Sequence, residues 1–327
     1  MKAAFLQSNL SEKIYLRAPP GYESKTEKGE EEILELHRAI YGLKQASASF
    51  WEAISYHLKS IGFVPTIGDP CLMKRVDDDG NMVLVCLYVD DVTYAVSHPA
   101  LADQFLAQLR ERFVIEEGEG KPIEYLLGIA IHQDLEKGTI HLSMETAISK
   151  LCMSILTKEE LVKSSSVMAP MLQTPLLRQK ERSVPKFSFD YLSVVGSLLH
   201  ISNCVRPDVS YAVGNLARFA AAPGDAHVKA ARRVLQYLYR TKSLGITYYR
   251  ESDQQKNVPM VFEKAKHPLD DGTNKTQVFA DSDYAADESR RSTMGGIIIQ
   301  NGGPISWFSV LGKTVALSTC EAEINAA

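Results

Sequence analysis

The sequence predicts a mixed α/β chain of the α+β kind, and three observations carry that prediction. Apolar residues recur at helical spacing from position 43, two apolar runs of strand length flank Asp90 and Asp91, and a long helical block precedes a strand-rich end. The chain has 327 residues, 45% of them hydrophobic and 23% charged, which is typical of a globular protein of two or three domains.

The first part of the sequence predicts an irregular start, one long helix and an antiparallel sheet. Residues 1–32 contain a Pro-Pro-Gly turn and a charged loop, so we expect no regular structure there. Apolar residues at three- and four-residue steps predict a helix over 43–61, which Gly62 would end. Further along, strands are predicted over 71–76, 82–89 and 92–96, and a helix over 99–113.

The remainder predicts a hairpin, a helical block and a second group of strands. Residues 164–186 are rich in Pro, Ser and charge and form the linker candidate, and 250–275 are polar. The predicted elements are strands over 125–132 and 139–142, a helix over 145–156, three helices within 189–249 broken at 206–207 and 223–224, strands over 277–280, 296–300 and 304–308, and a last helix.

Composition excludes several classes of protein. The five cysteines are odd in number and form no CxxC pair, and the histidines are dispersed, so we expect free thiols and no zinc site. The longest apolar run, 82–89, has the length of a strand, which predicts an intracellular protein with no membrane span, in the cytoplasm, the nucleus or both. The net charge of −4 argues against positive potential over the whole surface, so any nucleic-acid binding would need a local basic face.

The tetrapeptide Tyr88–Val89–Asp90–Asp91 is the sharpest local feature. It lies between two apolar runs that we expect to be buried strands, so the two carboxylates would stand at the tip of a hairpin. Neighbouring carboxylates repel each other, and a bound divalent ion removes that penalty. An acidic pair in a solvated turn is equally compatible with these four residues.

Several sequence blocks occur along the whole chain in a fixed order. They include YGLKQ at 41–45, YVDD at 88–91, RPD at 206–208, ADSDYA at 280–285 and STCEAE at 318–323. This series resembles the reverse transcriptase and ribonuclease H part of the polyproteins of copia-type LTR retrotransposons.

The resemblance implies a right-hand polymerase with Asp90 and Asp91 as ligands of Mg²⁺ or Mn²⁺. It implies that Lys44, Gln45 and Tyr88 touch the nucleic acid or the incoming nucleotide, although the residues alone favour a solvated helix face for Gln45. The implied partners are an RNA template, a DNA primer, an RNA–DNA hybrid and deoxynucleotides. The implied domains are a partial palm over 1–132, a helical thumb and connection over 133–275, and a truncated ribonuclease H-like module over 276–327.

Two further groups of site residues follow from the resemblance. Asp281 and Glu323 correspond to metal-binding residues of ribonuclease H, whereas Glu321 fits a capping box with Ser318. The helix predicted over 227–242 carries a basic stripe that includes Lys229, Arg232 and Arg233. That stripe is either a solvated surface or a track for the phosphates of a hybrid, and the sequence leaves the two alternatives even.

The sequence also predicts that the chain is an internal fragment with defective catalysis. In the family a first catalytic aspartate stands five residues before the position of Phe5, and a last ribonuclease H aspartate follows the final helix; this sequence holds neither. We therefore expect a non-catalytic, nucleic-acid-binding remnant or a domain recruited by its host. The other hypothesis is a working piece of a longer polyprotein.

Overall fold

The computed structural model describes residues 1, 3–25, 29–115, 122–172, 189–250 and 276–327. The chain divides into two compact units, Met1–Pro122 and Ile123–Ala327. Within the described ranges, no helix combines the length and the apolar character needed to cross a membrane.

The first unit begins with a 3₁₀ turn at Ala4–Gln7 and continues with two antiparallel sheets and two helices in its described part. Strand β1 pairs with β2, and the other strands form a sheet in the order β3–β4–β5–β6. In chain order the elements are β1 (Asn9–Arg17), β2 (Ile33–Arg38), α1 (Ala46–Ser60), β3 (Val64–Pro65), β4 (Leu72–Val76), β5 (Met82–Tyr88), β6 (Asp91–Val96) and α2 (Pro99–Arg110).

Only one face of the four-stranded sheet is buried. Along β5, Val83, Val85 and Leu87 point into the core, whereas Met82 and Tyr88 are exposed. This alternation follows from the two-residue period of a strand. The expectation that the strands around the acidic pair are buried therefore holds for one face only. The buried face packs against α1 and α2 in one apolar cluster, which includes Phe50, Ile54, Leu58, Phe105 and Leu109.

Strand β1 corrects the expectation of an irregular start. Asn9 and residues 14–17 of this strand pair with β2, with an irregularity between them, and Lys13 forms an ion pair with Glu35 at 3.7 Å. Five of the nine positions are polar, and they do not alternate with apolar ones, so the sequence lacks the pattern that predicts a half-buried strand. The register to β2, rather than a buried face, is what defines this ribbon.

In its described part, the second unit contains two antiparallel sheets and a group of helices. The sheets have the strand orders β10–β9–β8–β7 and β11–β12–β13. The elements are β7 (Tyr125–Leu126), β8 (Ile129–Asp134), β9 (Thr139–Ser143), α3 (Glu145–Ile155), α4 (Lys158–Lys163), α5 (Tyr191–Cys204), α6 (Ser210–Ala217), α7 (Asp225–Arg240), β10 (Ile246–Tyr249), β11 (Gln277–Ser282), β12 (Thr293–Gln300), β13 (Gly303–Leu311) and α8 (Thr319–Ala326).

Three helices stand where the sequence predicts them within 189–249, with breaks at the predicted places, but the end of the block differs. Helix α7 ends at Arg240, and Ile246–Tyr249 is a strand that pairs with β9. Gly245 permits this pairing, because a Cβ there would lie 2.0 Å from the carbonyl oxygen of Leu142. Most of the linker candidate, from 173, and most of the polar segment, from 251, lie outside the described residues.

A buried arginine joins the α5–α6 junction to the end of α7. The side chain of Arg206 is 1% exposed and donates from Nε and a terminal nitrogen to the carboxylate of Asp208, at 2.9 and 2.8 Å. It also donates to the carbonyl and the hydroxyl of Thr241, at 3.0 and 2.7 Å. The hydroxyl of Tyr237 donates to the same carboxylate at 2.9 Å. The RPD block therefore has a structural role, because it connects the α5–α6 junction to the end of α7.

The sheet β11–β12–β13 packs on the helices of the same unit. The indole of Trp307 donates to the carbonyl oxygen of Ser202 on α5 at 3.0 Å. Main-chain N–H of Tyr249 on β10 donates to the carbonyl oxygen of Asn301 at 2.8 Å. Arg218, just after α6, pairs with Asp287 at 3.0 Å. These bonds tie three places on the sheet region to the preceding part of the unit.

Candidate functional site

The acidic pair lies at a two-residue hairpin turn. Tyr88 and Asp91 are the last paired residues of β5 and β6, and Val89 and Asp90 connect them. Two-residue hairpin connections need a positive φ, and Val89 has a φ of +56°. Such a value is uncommon for a β-branched residue and costs on the order of 1–3 kcal/mol. The turn therefore holds the acids in a conformation that its own sequence disfavours.

Both carboxylates are accessible. Asp90 is partly exposed and Asp91 is exposed, and the ion pairs found among the described residues involve neither. Because Asp91 pairs with Tyr88, its side chain lies on the exposed side of the sheet, which we call the open face. The open face consists of the solvent side of the sheet β3–β4–β5–β6.

The residues present fit a magnesium ion. Mg²⁺ takes oxygen ligands and is commonly held by one or two carboxylates together with substrate phosphates and water. Asp90 and Asp91 supply two such groups on an accessible turn. In the part of the chain that the structure describes, no group of three or more His, Cys, Asp or Glu side chains is arranged to hold a metal.

The predicted nucleotide-binding residues occupy two places in the first unit. Tyr88 is 52% exposed and stands beside Asp91 on the open face. Lys44 is exposed and Gln45 partly exposed immediately before α1, which starts at Ala46 rather than at the predicted 43. Among the described contacts, no hydrogen bond or ion pair joins Lys44 or Gln45 to the acidic turn. The structure brings Tyr88 to the acids but leaves the roles of the other two as predictions.

Sequence reasoning did not anticipate how the start of the chain is fixed. The side-chain amide of Gln7 accepts from the main-chain N–H of Val114 at 2.6 Å and donates to its carbonyl at 3.1 Å. The ring of Phe5 lies 4.5 Å from that of Tyr41 and 6.2 Å from that of Phe50. Phe5, near the start of the chain, is therefore in contact with the YGLKQ block at 41–45. Their order in the sequence gives no sign of this.

The two predicted ribonuclease H ligands are both exposed, on β11 and α8. Asp281 pairs with Gly295 and so shares a face with it, whereas Ala322 of α8 lines a cleft with Met294 of the opposite face. The register places Asp281 on the face opposite Met294, whereas Glu323 lies one residue beyond Ala322 on α8. Their role as metal ligands stays a prediction.

The end of the chain contains the predicted helix cap. Ser318 is the N-cap of α8, and its hydroxyl accepts from the N–H of Glu321 at 3.1 Å. The carboxylate of Glu321 accepts from Leu317 at 2.7 Å, one residue earlier than in a regular capping box. The carboxylate of Asp283 accepts from the main-chain N–H of Thr293 at 2.8 Å and so connects the two ends of the β11–β12 loop.

The basic stripe on α7 is largely occupied by contacts within the chain. Arg232 forms an ion pair with Glu160 at 2.6 Å, and Arg240 donates to the carbonyl of Val167 at 3.1 Å. Arg233 is partly buried, whereas Lys229 is exposed. For Glu160, burial raises the pKa, but the hydrogen bonds from Thr157 and Arg232 outweigh it and lower the pKa overall. The geometry favours a structural role for Arg232 over phosphate binding.

Comparison with known proteins gives a consistent result. A family model described as reverse transcriptase (RNA-dependent DNA polymerase) matches residues 1–173. The putative transposon Ty5-1 protein of Saccharomyces cerevisiae is 32% identical over 98% of this chain and 95% of its own length. The Pol polyproteins of transposon TNT 1-94 from Nicotiana tabacum and RE1 from Arabidopsis thaliana are 29% and 30% identical over 100% and 98% of this chain. The chain spans 23% and 20% of those two polyproteins.

Proposed function

The chain belongs to the copia-type reverse transcriptase family, and from that premise we propose that it forms part of an RNA-directed DNA polymerase. In this proposal the palm lies within 1–132, a helical thumb and connection within 133–275, and a ribonuclease H-like module within 276–327. The substrates are an RNA template, a DNA primer and deoxynucleotides, and the location is intracellular.

The acidic turn is the observation that carries the proposal. It combines two accessible carboxylates, a strained connection at Val89 and an adjoining open sheet face. A divalent ion held here would stabilise the negative charge that develops on the transferred phosphoryl group. The chain itself contributes Asp90 and Asp91 as oxygen ligands, a rigid sheet beneath them, and Tyr88 as an aromatic surface for a base or sugar.

A finer proposal concerns activity. Polymerisation depends almost entirely on positioning and charge stabilisation, so a missing ligand costs many orders of magnitude in rate. The described residues bring two carboxylates to the turn rather than three. We therefore propose that the chain by itself binds primer–template with a divalent ion but does not extend the primer.

Binding and extension test the two proposals separately. The full chain is mixed with oligo-dT annealed to poly-rA, with and without Mg²⁺ or Mn²⁺, and both anisotropy and nucleotide incorporation are measured. We expect ion-strengthened binding that Asp90→Asn abolishes. Asp103→Asn, an exposed acid on α2, is the matched control and should behave like the unaltered chain. We expect no incorporation.

The outcomes have distinct meanings. Incorporation that disappears in Asp90→Asn would support the polymerase and overturn the proposed defect. Binding that no ion and no turn variant alters, without incorporation, would overturn the metal site and favour the second candidate, a nucleic-acid-binding remnant or host-recruited domain. In such a domain, the exposed Lys229 of the basic stripe would be available to bind nucleic acid.

The last part of the chain supports a ribonuclease H-like proposal by topology. Three antiparallel strands in sequential order are followed by a helix, with Asp281 on the first strand. This arrangement is compatible with the first strands and first helix of such a module. Cleavage of an RNA–DNA hybrid that is lost in Asp281→Asn would support it.

A further inference from the structure

We propose that Lys74 binds a backbone phosphate of the nucleic-acid strand that crosses the open face, a few nucleotides from the acidic turn. This inference rests on the proposed function, because it takes the turn as the place where a strand end is held. It adds a binding residue on β4, in the sequence Leu-Met-Lys-Arg-Val, which is far from Asp90 and Asp91 along the chain.

The neighbours of Lys74 show on which face its side chain lies. Met73 is fully buried in the core. Arg75 donates to the side-chain carbonyl of Gln108 on α2 at 2.8 Å, so it too lies on the helix side of the sheet. Because side chains alternate along a strand, Lys74 between them belongs to the open face, where it is exposed.

The register divides the open face into rows that run across the strands. Tyr88 pairs with Asp91 in the first row, and the row of Lys74 lies four residues further along β5, at Leu84. At about 3.4 Å per residue these rows are roughly 13 Å apart. That distance spans a few nucleotides at an axial rise of about 3.4 Å per nucleotide in each strand.

The chemistry of the face between the two rows suits a sugar–phosphate backbone. The second row consists of Leu72, Cys86 and Thr93, which are uncharged and of small or moderate size. Among the side chains that the register places on the described open face, Lys74 is the one cation. A strand held at the acids by a metal would therefore meet one positive charge among these side chains, and the carboxylate of Asp69, just before β4, lies near Cys86 of the second row.

The far end of the face limits the contact to a short stretch. The β4–β5 turn carries three aspartates, 77–79, next to the row of Val76 and Met82. That row is six residues from Tyr88, or about 20 Å along the strand. Negative charge at this end repels phosphate, so the strand leaves the sheet soon after Lys74.

Charge removal at Lys74 tests the inference. The full chain and its variants are titrated with fluorescent oligo-dT on poly-rA at several NaCl concentrations in Mg²⁺. Because each phosphate contact adds about 0.9 to the salt slope, Lys74→Ala should lower the slope of log Kd against log salt by about 0.9 and weaken binding about three- to tenfold near 0.1 M salt. Lys74→Glu should weaken it further. Lys59→Ala, which removes an exposed lysine on α1, is the matched control and should leave both values unchanged.

The outcomes separate this inference from the proposed function. If Asp90→Asn abolishes ion-strengthened binding while Lys74→Ala keeps the unaltered Kd and slope, the role of Lys74 is refuted and the proposed function stands. Equal losses in Lys74→Ala and Lys59→Ala would also refute it, because they indicate a general charge effect. A chain that binds no primer–template overturns both. Circular dichroism of each variant confirms that the exposed substitutions leave the fold intact.

Discussion

Replacing Asp208 by alanine should destabilise the second unit by about 3 kcal/mol. Asp208 provides two of the four hydrogen bonds of the Arg206 guanidinium, together with its opposite charge. Removing one partner of a buried ion pair typically costs 3–5 kcal/mol, because a desolvated charge remains. The side chain of Asp208 is 34% exposed, so water can partly replace it and the lower end of that range applies.

A second substitution shows whether the stability loss in Asp208→Ala comes from an unpaired buried charge or from lost packing. Arg206→Met removes the buried cation, so Asp208 no longer has a charge to neutralise. The double variant Arg206→Met, Asp208→Ala should therefore lose less stability than the sum of the losses in the two single variants. Thr241→Val removes one hydroxyl acceptor and should cost about 1 kcal/mol. Glu136→Ala, at an exposed turn, is the control with little expected effect.

Urea unfolding measures these values. The chain has two tryptophans, so a Trp51→Phe background leaves Trp307 as the probe of the second unit. Its indole donates to the main chain of α5, so its emission should change when the helices separate. If Asp208→Ala lowered the free energy of unfolding by less than about 1 kcal/mol, or if the two single effects simply added, the guanidinium would not depend on its carboxylate and the reasoning would fail.

Two further predictions concern titration. Burial raises the pKa of Asp287, but the hydrogen bonds from Ser289 and the charge of Arg218 outweigh it, and the folded pKa lies below the ordinary 3.8. A carboxyl group whose pKa is lowered in the folded state stabilises the fold at pH values above its unfolded pKa. The stability difference between the unaltered chain and Asp287→Asn should therefore shrink as the pH falls from 5 through the folded pKa. A pH-independent difference in urea titrations would contradict this. Burial raises the pKa of the Cys152 thiol to about 12. A thiol reagent at mildly alkaline pH should therefore label the exposed Cys320 in the folded chain and Cys152 only after unfolding. If Cys152→Ala lowered the number of thiols labelled in the folded chain, this prediction would be wrong.

The sequence predicts elements well where one strong apolar period dominates. The helices near 46–60, 99–110 and 225–240 and the strands around the acidic pair lie within a few residues of their predicted bounds. The predictions fail where contacts distant in sequence decide the structure. Strand β1 depends on its pairing with β2, and β10 depends on Gly245 approaching the main chain of β9. Neither cause has a local signature.

The hairpin of the candidate site was predictable, but its surroundings were less so. Resemblance to a family indicates Asp90, Asp91 and Tyr88, whose roles stay predictions, and the hairpin around them has the expected form. A run such as Met82–Tyr88 is apolar throughout, so it does not reveal that one side of the strand faces solvent. The inward position of Arg232 also depends on Glu160, which is 72 residues away in sequence.

The bonds that tie β10 to the β12–β13 hairpin have a practical consequence for dissecting the molecule. A polypeptide beginning near 276 would match the proposed ribonuclease H-like module, yet it would lose the main-chain donor of Tyr249 and the helical surface that receives Trp307. Its indole and one edge of its sheet would then meet water. The compact unit that holds these partners begins at Ile123, so the proposed module and the compact unit have different limits.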